Sequence, residues 1–174
     1  MEAIEAAILV ADLRDWTGIS ERLAPRAAVD YANRYFDVVG EAVEAAGGEI
    51  LKFIGDGVLA IFTEADDAAP AAERALSAGR GALAGAAGDG LSIGLGLHYG
   101  EVLYGNVGAA ARLDFTVLGS AVNVAARIEA LCKEFDAPLL YTADIADRLP
   151  RPGAFVADAS LKGVGAPVRI FRDA

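Results

Sequence analysis

Leu51–Phe62 reads LKFIGDGVLAIF: two apolar runs around Gly-Asp-Gly. Glycine reaches positive φ at little cost and aspartate tolerates it, so the triplet predicts a tight hairpin turn between two buried strands. Two readings of Asp56 stand side by side. It is turn punctuation with Lys52 as an ordinary strand residue, or it is a carboxylate held at a turn tip for chemistry. The second needs partners elsewhere in the chain.

Working outward, the spacing predicts a strand over 4–13 that ends near Asp12, a loop containing Pro25, and a helix over 27–46. That helix carries Val29, Phe36, Val39 and Val43 at helical spacing, and Gly47-Gly48 stops it. Strands follow over 49–54 and 58–63, then a helix over 66–84. The Gly/Ala-rich 77–90 is expected to fray into a loop. The segment 91–100 alternates apolar residues with glycine and predicts a strand in close backbone contact, with 101–108 as its hairpin partner. A strand over 112–119, a helix over 120–135, a strand over 138–141, a helix over 143–149 and strands over 154–161 and 167–172 complete the pattern. The order β-α-β-β-α-β, then more strands, predicts an α+β fold with a ferredoxin-like split βαβ core and helices on one face of its sheet. The reading takes 1–174 as a single domain.

Bulk properties exclude several classes. The chain has 174 residues, is 55% hydrophobic and carries a net charge of −10. A strongly acidic surface opposes sequence-blind binding to nucleic acid or anionic membrane. One cysteine, Cys132, permits no intrachain disulfide. No apolar run approaches the roughly 20 residues of a membrane helix. The N-terminus has no basic region followed by an apolar stretch, so no signal peptide is expected and the domain is expected in the cytoplasm.

Chemistry concentrates at a few positions. Asp12 and Asp56 each close a buried strand that the split core can set side by side. Adjacent carboxylates repel unless a cation offsets them, and oxygen-only ligands suit Mg²⁺. Equally, both are strand-end aspartates that face water. Asn123 and Arg127 lie four apart on one helix edge and offer a donor–acceptor and a fork suited to phosphate; alone they read as the polar flank of an amphipathic helix. Lys52 and Thr116 suit a purine edge, or are surface-leaning strand residues. Lys162, in SLKGVG, is a turn lysine within reach of a phosphate or of solvent. His98, the only histidine, reads as structural.

Taken in order, ILVADLRDWTGIS, LKFIGDGVLAIF, LSIGLGLHYGEVLYGNVG, DFTVLGSAVNVAARIEAL and LKGVGAPVRIF resemble the class III nucleotidyl cyclase catalytic domain, of bacterial type, from Ala7 to Phe171. The resemblance implies an adenylate cyclase that forms 3′,5′-cyclic AMP from ATP. Asp12 and Asp56 would hold two Mg²⁺ or Mn²⁺ ions per site. Lys52 and Thr116 would read the purine, lysine matching ATP where guanylate cyclases typically carry glutamate. Asn123 and Arg127 would serve the transition state and Lys162 the terminal phosphates. It implies a homodimer whose sites draw the aspartates from one chain and the other residues from its partner, with regulation by a further domain or by a protein in trans. Backbone amides around Leu13 to Thr17 would hold β- and γ-phosphates. One departure is Asp15, where family members often carry a small residue. It motivates an alternative, a catalytically silent nucleotide-binding and dimerisation module; a guanylate cyclase is the other, and Lys52 opposes it.

Overall fold

The computed structural model describes residues 1–173. In chain order the elements are β1 (Glu2–Leu13), α1 (Trp16–Arg22), α2 (Pro25–Ala45), β2 (Glu49–Ile54), β3 (Gly57–Thr63), α3 (Ala71–Gly88), β4 (Ile93–Ala109), β5 (Arg112–Leu118), α4 (Ser120–Ala130), β6 (Leu139–Thr142), α5 (Ala143–Ala146), β7 (Ala154–Ala159) and β8 (Val168–Arg172). The α+β reading and the split core hold. The sheet runs β2-β3-β1-β4-β6-β8-β7, with β5 pairing to β4 off that path. Only β4 and β6 pair in parallel; the other neighbours are antiparallel.

Strand alternation divides the core. Ala7, Leu9 and Ala11 of β1 face Tyr35, Val39 and Val43 of α2 and the alanines of α3. Ala6 and Ile8 face the other way, onto Ala121 and Ala125 of α4. Helices therefore cover both faces, not one as the pattern suggested, because residues two apart on a strand repeat one face and both sets are apolar. Each fully buried Leu, Ile or Phe contributes about 1.5–3 kcal/mol. Ile8, Leu9, Phe62, Leu95 and Leu97 are such residues along the central strands.

Several elements differ from expectation. Residues 16–22 form α1, not loop, and α2 begins at Pro25, whose missing N–H is no loss in the first turn of a helix. Val29 is 57% exposed and lies off the buried face of α2. The Gly/Ala tract does not fray: α3 runs to Gly88. A methyl group at Gly79 would stand 3.0 Å from Leu139 Cδ1, and one at Gly85 would stand 3.0 Å from Val38 Cγ1, so close packing holds this helix despite its glycines. Residues 93–109 form one long strand instead of a hairpin, and β5 is its partner. Helix α4 ends at Ala130, five residues early. His98 is structural as expected: its Nδ1 sits 2.8 Å from Thr142 Oγ1.

Candidate active site

Pairing of β1 with β3, Ala11 opposite Val58, carries the β2–β3 turn to the end of β1. Gly55, at φ 60°, makes that turn. Asp12 and Asp56 thereby line one cavity of about 250 Å³, together with Val10, Ile54, Val122 and Glu129. The seating of α4 against the sheet depends on Gly94 and Gly96 of β4. A side chain at Gly96 would run into the backbone of α4 at Ala125 and Glu129, and one at Gly94 would sit 2.8 Å from Glu129 Oε1. These glycines let α4 lie directly on the strand.

The site is electrostatically uneasy. Burial pushes the Asp12 carboxyl up to about 8, and the hydrogen-bonding contact and charges of Asp56 and Glu129 push the same way. Burial likewise raises Glu129 to about 7, against the lowering influence of Arg14. Asp12 Oδ1 is sealed from solvent and accepts no hydrogen bond. A divalent cation would offset the repulsion between the aspartates, and the donor set, carboxylate oxygen alone, suits a hard ion such as Mg²⁺ or Mn²⁺. Among the described residues no group of three or more His, Cys, Asp or Glu side chains has metal-binding spacing. Such an ion would rest on the two aspartates and complete its shell with water and phosphate oxygens.

Asp15 does not point into this cavity. It caps α1 in the left-handed conformation, its carboxylate folds over Gly18, and it pairs with Arg22 at 3.5 Å. Arg14 turns instead to the carbonyl of Ala137 at 3.4 Å. The seven-residue α1 has too short a column of peptide dipoles to act as a strong anion site by itself.

The other expected residues lie outside the carboxylate cavity. Lys52 of β2 places Nζ 4.0 Å from Asp114 Oδ2 on β5, the strand that also carries buried Thr116. Asn123 is exposed and Arg127 half-buried on α4. At roughly 100° per residue, Val122, Ala126 and Glu129 share the cavity face of this helix, and Ala121, Ala125 and Ile128 share its core face. Asn123 and Arg127 fall on a third face, roughly 110° from the cavity face and roughly 150° from the core face. Lys162 is exposed in the turn before β8. The chain thus unites Asp12 with Asp56, and Lys52 with the strand of Thr116, but it does not set Asn123, Arg127 or Lys162 among the residues that line the carboxylate cavity.

Sequence reading missed Glu129 and Asp114. Glu129 was detectable: the spacing Val122, Ala126, Glu129 marks a helical stripe distinct from the core stripe. Asp114 shares the strand period with Thr116, two residues on.

Residues 2–137 match the model of the adenylate and guanylate cyclase catalytic domain. An adenylate cyclase of Anabaena cylindrica is 36% identical over 91% of this chain and 34% of its own length. A bacterial light-regulated adenylyl cyclase structure superposes with a TM-score of 0.87 at 29% identity, covering 99% of this chain and 91% of that one. The guanylyl cyclase Cya2 superposes with a TM-score of 0.79 at 28% identity, covering 98% and 92%. This chain spans about a third of the Anabaena relative's length. Nearly four-fifths of its residues fall within the family match, and its aspartate-bearing hairpin and strand end meet at one cavity; the chain belongs to the adenylate and guanylate cyclase catalytic-domain family.

Proposed function

We propose that residues 1–174 form one catalytic domain of an adenylate cyclase that works as a homodimer with two equivalent shared sites. One observation carries this reading: α4 walls the Asp12–Asp56 cavity with one face and presents Asn123 and Arg127 on another. A second copy related by a two-fold axis supplies the missing half to each site, as a self-complementary interface requires. Exposed apolar residues suit such an interface: Phe53 and Ile54 at the carboxylate hairpin, Leu113 and Phe115 on the β4–β5 arm.

In this reading the 3′-hydroxyl of ATP attacks its own α-phosphorus. The new O3′–P bond forms as the bond to the α,β-bridging oxygen breaks; pyrophosphate leaves and the hydroxyl proton passes to solvent. Asp12 and Asp56 would hold Mg²⁺ or Mn²⁺, two per site, whose positive charge would make the hydroxyl more acidic and offset that of the triphosphate. Arg127 stabilises charge that develops on the α-phosphate, a role worth about 3 kcal/mol by analogy with an oxyanion donor. Asn123 orients the ribose for ring closure, and Lys162 meets the terminal phosphates. Lys52, steadied by Asp114, donates to an adenine ring nitrogen while Thr116 meets the base edge. The resemblance to both adenylyl and guanylyl cyclase structures leaves base choice to these residues. One motive for the silent-module alternative weakens, because Asp15 pairs with Arg22 and does not line the carboxylate cavity. Input from a regulatory domain or protein in trans fits the greater length of the Anabaena relative.

The test is incubation of the purified chain with ATP or GTP and Mg²⁺ or Mn²⁺ at several protein concentrations, with chromatography of the products. Cyclic AMP from ATP, at a specific activity that rises with protein concentration, is expected. No cyclic product in any condition, with dimer and nucleotide binding confirmed, contradicts the reading.

A further inference from the structure

Glu129 lines the carboxylate cavity from α4, although the functional reading needs only the two aspartates there. Its placement follows from strand register. Asp12 alternates with Ile8 and Val10 on the face of β1 that α4 covers. Its partner across the ladder is Gly94, and directly opposed residues point to one face with Cβ atoms about 5 Å apart. A Cβ at Gly94 would stand 2.8 Å from Glu129 Oε1 and 3.2 Å from Arg14 Nε. Glu129 therefore fills the room beside Asp12 that the glycine leaves open. Arg14 gives its hydrogen bond to the carbonyl of Ala137, and among the described residues Glu129 has no ion pair within 4.0 Å. A third, half-buried carboxylate set beside two others destabilises the metal-free fold, so its presence calls for a role. Direct ligation is not that role, because among the described residues no three such side chains have metal-binding spacing.

We infer that Glu129 is a positioning residue for the divalent cation, its carboxylate accepting hydrogen bonds from water that the ion retains, without ligating the ion itself. The inference rests on the reading that Asp12 and Asp56 hold that cation. Small hard ions give up water reluctantly, so two aspartates leave several waters in the shell. Those waters donate hydrogen bonds, and the side chains of Val10, Ile54 and Val122 on the cavity wall offer no acceptor. Glu129 offers two oxygens. By fixing the waters it fixes where the ion sits against the aspartates. Groups that orient the shell of a metal in this way typically contribute about 10- to 100-fold in metal affinity.

The experiment is titration of the full chain with Mn²⁺ alone, read by the electron paramagnetic resonance signal of the free ion, for wild type, Glu129→Gln, Glu129→Ala and Ile128→Val. Ile128 is fully buried next to Glu129 on the core face of α4 and serves as a packing control. Glu129→Ala is expected to weaken Mn²⁺ binding by about 10- to 100-fold, and Glu129→Gln, which keeps one acceptor oxygen, by less. The metal-free Tm of Glu129→Gln should stay level or rise, since a repelling charge is gone. Ile128→Val is expected to lower Tm and leave Mn²⁺ affinity unchanged. Line broadening of bound Mn²⁺ in ¹⁷O-enriched water, at saturating protein, should show the same number of coordinated waters in wild type and Glu129→Ala. A higher number in Glu129→Ala overturns the inference, because Glu129 is then a ligand. Wild-type affinity in both Glu129 variants overturns it and leaves the cation site standing. Equal weakening in Glu129→Gln and Glu129→Ala overturns it, since charge alone then explains the effect, and equal weakening in Ile128→Val does so through packing. If wild type itself binds no Mn²⁺, both the inference and the reading beneath it fall.

Discussion

The carboxylate half of the site and its cationic half differ in how far one chain completes them. Asp12 and Asp56 are fixed by the strand ladder: a strand end and a hairpin tip meet at one cavity, and burial makes their charge costly. Lys52, Asn123, Arg127 and Lys162 are spread over a strand, a helix and a turn, with Asn123 and Lys162 open to solvent. The first half is assembled by folding. In the proposed dimer a second copy would assemble the second half, whose members can stay solvated until then. A dimer built this way would tie catalysis to association.

The contrast can be broken at either half. The largest effect is expected from Asp56→Ala or Arg127→Ala, each lowering kcat by about 10³-fold, near 4 kcal/mol, since each removes charge that the transition state needs. Circular dichroism should show both folded. Next comes Gly96→Ala. Its methyl group meets α4 backbone at Ala125 and Glu129, which cannot step aside as a flexible side chain would. A loss of about 1–3 kcal/mol is expected, read as a fall in Tm. Lys52→Glu should then reduce ATP use about tenfold, near 1.4 kcal/mol, with little change in Tm; the partly exposed Lys52–Asp114 pair, at 4.0 Å, adds little stability of its own. Unchanged ATP preference in kcat/KM would remove Lys52 from base reading.

A last effect is a pH slope in the metal-free protein. Burial, with Asp56 and Glu129 nearby, pushes the folded Asp12 carboxyl from an ordinary value of 3.8 up to about 8, so the folded state holds a proton that the unfolded state releases. Its stabilising contribution is present below pH 4 and is lost as pH rises through 8. Tm should fall modestly over that window, Asp12→Asn should flatten the slope, and Mn²⁺ should recover most of the loss near pH 8. A slope unchanged in Asp12→Asn would assign it to other groups.

Much of this was legible before the structure. Gly-Asp-Gly between apolar runs specifies its hairpin locally, and the apolar run up to Asp12 specifies its strand, so the carboxylate pair follows from two short signals and the split core. What was not legible depended on tertiary packing. Glycines in α3 and β4 argue locally for fraying and turns; they are tolerated because Gly79, Gly85, Gly96 and Gly100 lie where another element comes close. Covering both faces of the sheet was hidden because β1 is apolar in both registers. Asp114 and Glu129 carry no motif of their own. Their significance comes from what stands beside them: an ammonium and a pair of aspartates.

The most direct test of the shared site mixes the two inactive variants, Asp56→Ala and Arg127→Ala. With random exchange about half of the dimers are mixed, and each mixed dimer holds one intact site of two, so roughly a quarter of wild-type cyclase activity should return. No recovery, with mixed dimers shown by differently tagged chains, would mean that one chain supplies both halves of its own site and would contradict the account.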